Sequence, residues 1–489
     1  MSSSPRVDVD GISVSPDHFI NGERVASLRT FEDRSPLDWN WKLADVARGG
    51  AVEADLAVSA AVAAFPAWAA LSSVQRGEYL ERLADLIERD VETIAHVECL
   101  DMAMLEESLR LRVIGRGARN FRAYAELARN YQPRRWSSLG TENTVLRMPA
   151  GPTVVITPWN APFMLSTWKC APALAAGNTV VLKPAEWSPL SCSLLMDLVD
   201  EAGFPHGVFN VVQGLGEEAG VALVHDPRVR RISFTGSPET GRIIGEAAAR
   251  NLVPFTAELG GKGPFMVFAD ADLDAAAQKA AVMYDDAGQV CLAGTRLLVE
   301  KSVRGHFVEL FEDATRRHRL GDSRESATTV SPLIHPEHLA RVEGFVERAR
   351  ANGDTLVFGG GVEREGGLWY RPTLIEPRSN DSEVVQREVF GPVLTIQTFL
   401  DEADAVRLAN STQYGLSAIL YTTSNARALR LGEALRAGTI WVNCFLVRDL
   451  TAPFGGTGIS GIGREGGDYA LDFYSDLKTL QIKEGTTHG

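Results

Sequence analysis

Cysteine is scarce and scattered: Cys99, Cys170, Cys192, Cys291 and Cys444 form no CxxC pair. That pattern predicts neither a disulfide framework nor a zinc centre, so no metal site is expected, and it suits a reducing, cytoplasmic setting. Basic residues are in the minority. A formal net charge of -14 argues against a nucleic-acid partner, which needs clustered positive surface. No GxGxxG follows a strand, so the ordinary dinucleotide fingerprint is missing. The start, Met1 to Arg6, has no apolar segment behind a basic one, and no run reads as long enough to span a bilayer, so no membrane partner is expected. Internal repeats and low-complexity tracts are absent as well.

What is present is a chain of 489 residues, enough for two or three domains. Residues 1 to about 50 read as surface strands, and Val52 to Asn130 as helical, with Leu80, Leu83, Leu86 and Ile87 at helix spacing and a further helix predicted from Leu105 to Tyr131. Residues Gln132 to Arg147 alternate around Leu139-Gly140, as a protruding hairpin does. From Gly151, short apolar strands at 153–156, 179–182, 208–212, 229–234 and 253–257 alternate with helices, the pattern of a parallel sheet covered on both faces. Ligands of such sheets bind at the carboxyl ends of the strands, and Asn160, Lys183, Ser237 and Glu258 follow strands there. A second α/β unit is predicted from Pro264, with strands near 264–268, 295–299, 392–399, 416–421 and 438–442. The chain ends in an alternating strand, 478–482, with nothing local to pair with, which suggests addition to another subunit's sheet and a homo-oligomer.

Cys291 lies between Gly288 and Gly294 with Val290 and Leu292 beside it, a setting for a thiol in a narrow apolar site. Glu258 and Asn160 complete a set of nucleophile, carboxylate base and amide donor, the three parts of acyl transfer at a thiol. Phe234-Thr235-Gly236-Ser237 opens a helix, where backbone N–H groups favour an anion, and Gly214 and Gly216 offer a second close approach.

Eight motifs stand in order: TPWN at 157–160, KPAEWSP at 183–189, SFTGS at 233–237, ELGGK at 258–262, GQVCLAGTR at 288–296, REVFGPV at 387–393, VN at 442–443 and PFGG at 453–456. Over nearly its whole length the chain resembles the NAD(P)-dependent aldehyde dehydrogenase superfamily. The resemblance implies an α/β fold with a Rossmann-like parallel-sheet cofactor domain (1–126 and 150–259), an α/β catalytic domain (260–470) and a small β oligomerisation element (127–149 and 471–489). It implies that Cys291 attacks an aldehyde, that the Asn160 amide and the Cys291 N–H hold the oxyanion, and that Glu258 activates the water that hydrolyses the thioester. The cofactor it implies is NAD, held by Thr157, Trp159, Lys183, Glu186, Gly216, Phe234, Gly236, Ser237, Leu259, Glu388 and Phe390. Glu186 would repel a 2′-phosphate, which favours NAD over NADP.

The run 445–456 and the glycine-rich segment Gly461 to Gly467 are similar to the branch that oxidises 2-hydroxymuconic, 2-aminomuconic and 5-carboxymethyl-2-hydroxymuconic semialdehydes. That likeness implies a carboxylate-bearing substrate met by Arg448 and Arg116, in a tunnel lined by Leu165, Trp168, Val290, Leu292 and Phe454. Two departures from the wider family are Asp286, preceded by Asp285, where many members have Asn, and PFGG continuing without a lysine. The alternatives are a CoA-acylating dehydrogenase, against which Glu258 argues because such relatives typically lack that base, and a silent scaffold, against which the intact Cys291, Glu258 and Asn160 argue.

Overall fold

Thr153–Ile156 are four β-branched residues in a row, all buried, and they form a strand near the middle of an eight-stranded sheet. Such residues favour the pleated backbone, and each Val or Ile shielded from water on both faces contributes roughly 1.5–3 kcal/mol. The computed structural model describes residues 4–485; the first three and last four residues lie outside it. In this sheet the strands Phe255–Glu258, Arg231–Thr235, Thr153–Ile156, Val180–Lys183 and Phe209–Val211 run parallel. Gly461–Ile462 adds antiparallel at one edge, opposite Ala257 and Glu258, and His18–Ile20 with Glu23–Val25 closes the other.

A second sheet of seven strands holds Pro264–Val267, Arg296–Glu300, Val393–Phe399, Ser417–Tyr421 and Thr439–Val442, close to the bounds expected. It also holds Thr355–Phe358 and Thr373–Glu376, which periodicity alone did not reveal. A third, three-stranded sheet contains the hairpin Arg135–Ser138 and Thr141–Pro149, turned at Leu139 and Gly140 with φ of 54° and 69°. Two successive positive φ values make the tight turn that matches the twist of paired strands.

Three expectations need correction. The terminal strand does have a partner within the chain: Ser475–Lys483 pairs antiparallel with Thr141–Pro149 over nine residues. That partner lies more than three hundred residues upstream, beyond the reach of local patterning. The helix expected from Leu105 to Tyr131 is broken into Glu106–Ser108, a π turn at Leu109–Val113 and the helix Ile114–Asn130. A π turn inserts one residue per turn and so rotates the helix after it, Arg116 included. Finally, the helix Ala51–Ala70 is long and apolar enough to cross a membrane by length and composition, with a mean hydropathy of 1.3. Its apolarity is largely alanine, and Ala54, Ala57, Val58 and Ala61 are buried in the same core as Val154 and Val181 of the first sheet.

Candidate active site

Cys291 sits on a loop with an unusual path. Asp286, Ala287 and Gly288 have φ of 52°, 53° and 67°, three left-handed residues in succession. Asp and Gly enter that region more readily than most residues, and Ala does not, so the surroundings must hold the turn. Gln289 does much of that holding. Its backbone N–H donates to the Asp286 carbonyl at 3.0 Å, its side-chain amide donates to the Pro332 carbonyl at 3.3 Å, and its side-chain oxygen accepts the Ile334 N–H at 3.0 Å. The two glycines of ELGGK clear the other side. A Cβ on Gly261 would lie 2.2 Å from the Cys291 carbonyl oxygen, and one on Gly260 would lie 2.1 Å from Glu388 Oε2.

The Cys291 thiol is half-buried, and desolvation pushes it up to about 12, with the charges of Glu388 and Glu258 adding to the shift. Glu258 ends its strand at 5% exposure, and among the described residues neither of its carboxyl oxygens has a hydrogen-bond partner. Burial, then the charge of Glu465, holds that carboxyl well above the usual carboxylate range, against the pull of Lys169, Arg464 and Arg448. A protonated Glu258 exerts no charge on the thiol, so its share of the cysteine shift falls away whenever it carries its proton. Asn160 Nδ2 donates to the Gln289 carbonyl at 2.9 Å. An amide carries two N–H bonds, so this contact orients the side chain and leaves one donor to give.

The residues expected to line a tunnel fall into two cores, Leu165 and Trp168 in the first and Val290, Leu292 and Phe454 in the second. Arg448 spans them, its guanidinium carbon 3.7 Å from the Phe454 ring centre and 5.3 Å from that of Trp168. Arg116 approaches the same Trp168 ring at 5.4 Å, with its Nε buried and unpartnered. Burial, then Arg448, lowers Arg116 to about 10. Among the described residues neither arginine has an ion pair, and Asp449, the obvious neighbour, instead accepts from the Thr451 N–H and hydroxyl at 2.9 and 2.7 Å.

Sequence reasoning missed Glu465 and Lys169. Glu465 takes the Trp168 indole N–H at 2.6 Å and forms an ion pair with Lys169, and both charged side chains are buried. Lys169 also donates to Ser233 at 3.1 Å. The available signal was a lysine, the one charged residue of the helix Pro162–Ala175, since a buried charge requires a partner.

On the cofactor side, Lys183 ends its strand and donates to the Pro184 carbonyl at 2.9 Å and to Glu186 at 3.1 Å. The Thr157 N–H donates to the Lys183 carbonyl at 3.2 Å, which draws the TPWN and KPAEWSP loops together. Ser237 caps the helix Pro238–Arg250 by accepting the Thr240 N–H at 3.1 Å. Next to this helix start, Thr235 Oγ1 is buried with no partner, and the space around Gly216 is open. Leu259 packs on Gly241 of the same helix, where a Cβ would come within 2.8 Å. The Phe234 ring is buried in the core, filling the space that a Cβ on Gly236 would enter at 2.4 Å, which leaves its backbone for the cradle expected of this segment. Only its backbone can face a ligand. Glu388 accepts the Gly261 N–H at 2.8 Å, with burial raising it to about 7, and Phe390 meets Trp159 edge to face at 5.4 Å. A helix start suited to an anion, an orphan hydroxyl beside it and a carboxylate at either end fit an extended dinucleotide.

The sequence profile of the aldehyde dehydrogenase family matches residues 24–480. The chain belongs to the aldehyde dehydrogenase family. It is 41% identical to the 2-hydroxymuconic semialdehyde dehydrogenase of Pseudomonas sp. (strain CF600), over 95% of this chain and 99% of that one. With the 2-aminomuconic semialdehyde dehydrogenase of Danio rerio it shares 40% identity over 96% and 98% of the two chains. Among solved structures, the indole-3-acetaldehyde dehydrogenase of P. syringae in complex with NAD+ superposes with a TM-score of 0.94 at 36% identity, covering 97% of this chain and 98% of the other. This aldehyde dehydrogenase therefore has the α/β fold its motifs implied, and its reaction is the NAD-dependent oxidation of an aldehyde.

Proposed function

We propose that this aldehyde dehydrogenase oxidises a semialdehyde carrying a carboxylate at its far end, of the muconic type. The observation that supports this best is the pair of guanidinium groups, Arg448 and Arg116, that approach the Trp168 ring with no ion pair of their own among the described residues. Arg448 acts unfavourably on the charge of Arg116, and it feels Glu465 and Glu258 without pairing with either, so a substrate carboxylate relieves the repulsion by accepting paired N–H bonds. An aromatic ring between them offers a flat face for a conjugated chain.

In this reading Cys291 attacks the aldehyde carbon as thiolate, and the Cys291 backbone N–H and the free N–H of Asn160 receive the oxyanion. Lys183 and Glu186 hold the adenosine ribose, the Ser237 helix start the pyrophosphate, and Glu388 and Phe390 the nicotinamide end. Bound NAD supplies the hydride acceptor that turns the thiohemiacetal into a thioester. Glu258, whose burial raises its affinity for a proton, takes one from the water that hydrolyses that thioester.

The protein is read as three units, a cofactor domain (1–126 and 150–259), a catalytic domain (260–470) and a small β element (127–149 and 471–489) whose exposed apolar face serves a homodimer or homotetramer. Five unbridged cysteines suit a cytoplasmic location. The test of substrate class is kcat/KM across aldehydes of matched length with and without a terminal carboxylate. A preference of about tenfold or more for the carboxylates is expected from one charge-assisted bond; equal values would leave only a general aldehyde dehydrogenase.

A further inference from the structure

The helix Pro336–Ala351 belongs to none of the eight motifs, yet one face of it grips the loop that carries Glu388 and Phe390. His338 Nε2 donates to the Phe390 carbonyl at 2.7 Å. Arg341, three residues on, donates to the Glu388 carbonyl at 2.8 Å and to that of Val389. Val342, four residues on from His338, packs on Gly391, where a Cβ would come 2.6 Å from its methyl carbon. Residues at these spacings share one side of a helix, so a single face holds four consecutive loop residues.

The loop needs holding. Phe390 has φ of 57°, a left-handed conformation that a phenylalanine keeps only when its surroundings impose it. His338 also closes a cluster of three rings: it stands 5.6 Å from Trp159 and 6.1 Å from Phe390, and those two stand 5.4 Å apart. Trp159 precedes Asn160, so the cluster reaches both the nicotinamide loop and the oxyanion donor. Burial lowers His338 to about 3, which keeps it neutral with its one N–H on Nε2, where the carbonyl is.

The first turn of the helix is itself anchored. His335 Nδ1 accepts the His338 backbone N–H at 3.1 Å, serving as the helix cap. The same imidazole stacks on Trp187 at 4.0 Å and 19°, and Trp187 adjoins Glu186. His338 is thus fixed relative to the ribose-binding end of the site.

We propose that His338 is a positioning residue for the nicotinamide end of NAD, holding Phe390, and with it Trp159, in the arrangement that hydride transfer requires. This rests on assigning the nicotinamide end to Glu388 and Phe390. The test compares His338→Leu, which removes the donor, with His338→Gln, which restores an N–H at similar reach, in the full-length enzyme. NAD affinity, AMP affinity and the single-turnover rate of NADH formation are measured on each, with Glu388→Gln alongside.

His338→Leu is expected to slow NADH formation about tenfold or more and to weaken NAD several-fold, while AMP, which lacks the nicotinamide half, binds as to the parent. His338→Gln should come within about threefold of the parent in both. A Leu variant with parental rate and NAD affinity overturns the proposal, as does a Gln variant that fails as fully as Leu. If the Leu variant is misfolded, as lost AMP binding would reveal, His338→Met carries the same expectations. Parental behaviour of Glu388→Gln would refute the nicotinamide assignment itself, whereas impairment there with an unimpaired His338→Leu refutes only the positioning role.

Discussion

The indole N–H of Trp168 donates to Glu465 at 2.6 Å, and the same carboxylate pairs with buried Lys169 and acts on the titration of Glu258. One acidic residue thus links Trp168 to the titration of Glu258. The negative charge of Glu465 is the second-largest cause of the raised Glu258 carboxyl, after burial. Removing it in Glu465→Gln lowers the Glu258 pKa, so the deprotonated carboxylate persists to lower pH and the acid limb of thioester hydrolysis moves down. Lys169 meanwhile loses its counter-ion, and an unpaired buried charge costs roughly 3 kcal/mol, so Tm should fall. A pH–rate profile of acyl-enzyme hydrolysis checks the sign; an upward or absent shift refutes the coupling.

Cys291→Ala should abolish aldehyde oxidation while NAD still binds, because the thiol makes the covalent bond and does not hold the cofactor. Glu258→Ala should form the thioester and stall there, so intact-protein mass spectrometry of the reacting variant should find the acyl adduct on Cys291. Turnover near the parent level in the first variant, or a missing adduct in the second while wild type turns over, would reassign that residue.

Glu186 accepts from Lys183 at 3.1 Å and remains half-exposed, where we place the adenosine ribose. A 2′-phosphate there would bring two negative charges together, so NAD should be preferred to NADP by kcat/KM, and Glu186→Gln should narrow the gap by about tenfold. A parent enzyme that favours NADP would refute this position for the ribose hydroxyls.

Local strand positions were legible in the chain: Lys183 and Glu258 stand at the carboxyl ends of parallel strands, as the alternation of strands and helices predicted. Relationships formed across long sequence separations were not. The strand expected at 478–482 read as having no local partner because Ser475–Lys483 pairs with a strand that ends at Pro149. Glu465 looked like one acid in a glycine-rich run, since nothing nearby announces Lys169 almost three hundred residues earlier. The π turn at Leu109–Val113 was invisible for another reason: its residues are ordinary helix formers, and the extra residue per turn is imposed by packing.

The three-stranded sheet exposes Leu477 at 61%, Leu480 at 46% and Leu139 fully, and its last strand presents an edge. An exposed apolar edge of this kind needs covering, and a second copy of the chain can cover it. Leu477→Asp combined with Leu480→Asp should shift the assembly toward monomer in analytical ultracentrifugation, with secondary structure unchanged by circular dichroism. An unchanged sedimentation coefficient would move the self-association surface elsewhere.

Arg448 and Arg116 make the sharpest demand on the substrate assignment. A charge-assisted bond to a carboxylate contributes roughly 1.5–3 kcal/mol, so Arg448→Ala should lower kcat/KM on a carboxylate-bearing semialdehyde about ten- to a hundredfold. A neutral aldehyde of equal length never makes that bond and should lose less than about threefold. Arg116→Ala should show the same selectivity more weakly, because Arg116 approaches the Trp168 ring alone, whereas Arg448 reaches both Trp168 and Phe454. If both groups clamp one carboxylate, the double variant should lose less than the sum of the two single losses, since the second removal finds the clamp already open. A purely structural role predicts something else: Arg448 covers Phe454 at 3.7 Å, and its loss would then reduce activity on both substrates alike and lower Tm. Equal losses on the two aldehydes would therefore remove the carboxylate assignment and leave the enzyme's general chemistry at Cys291 untouched.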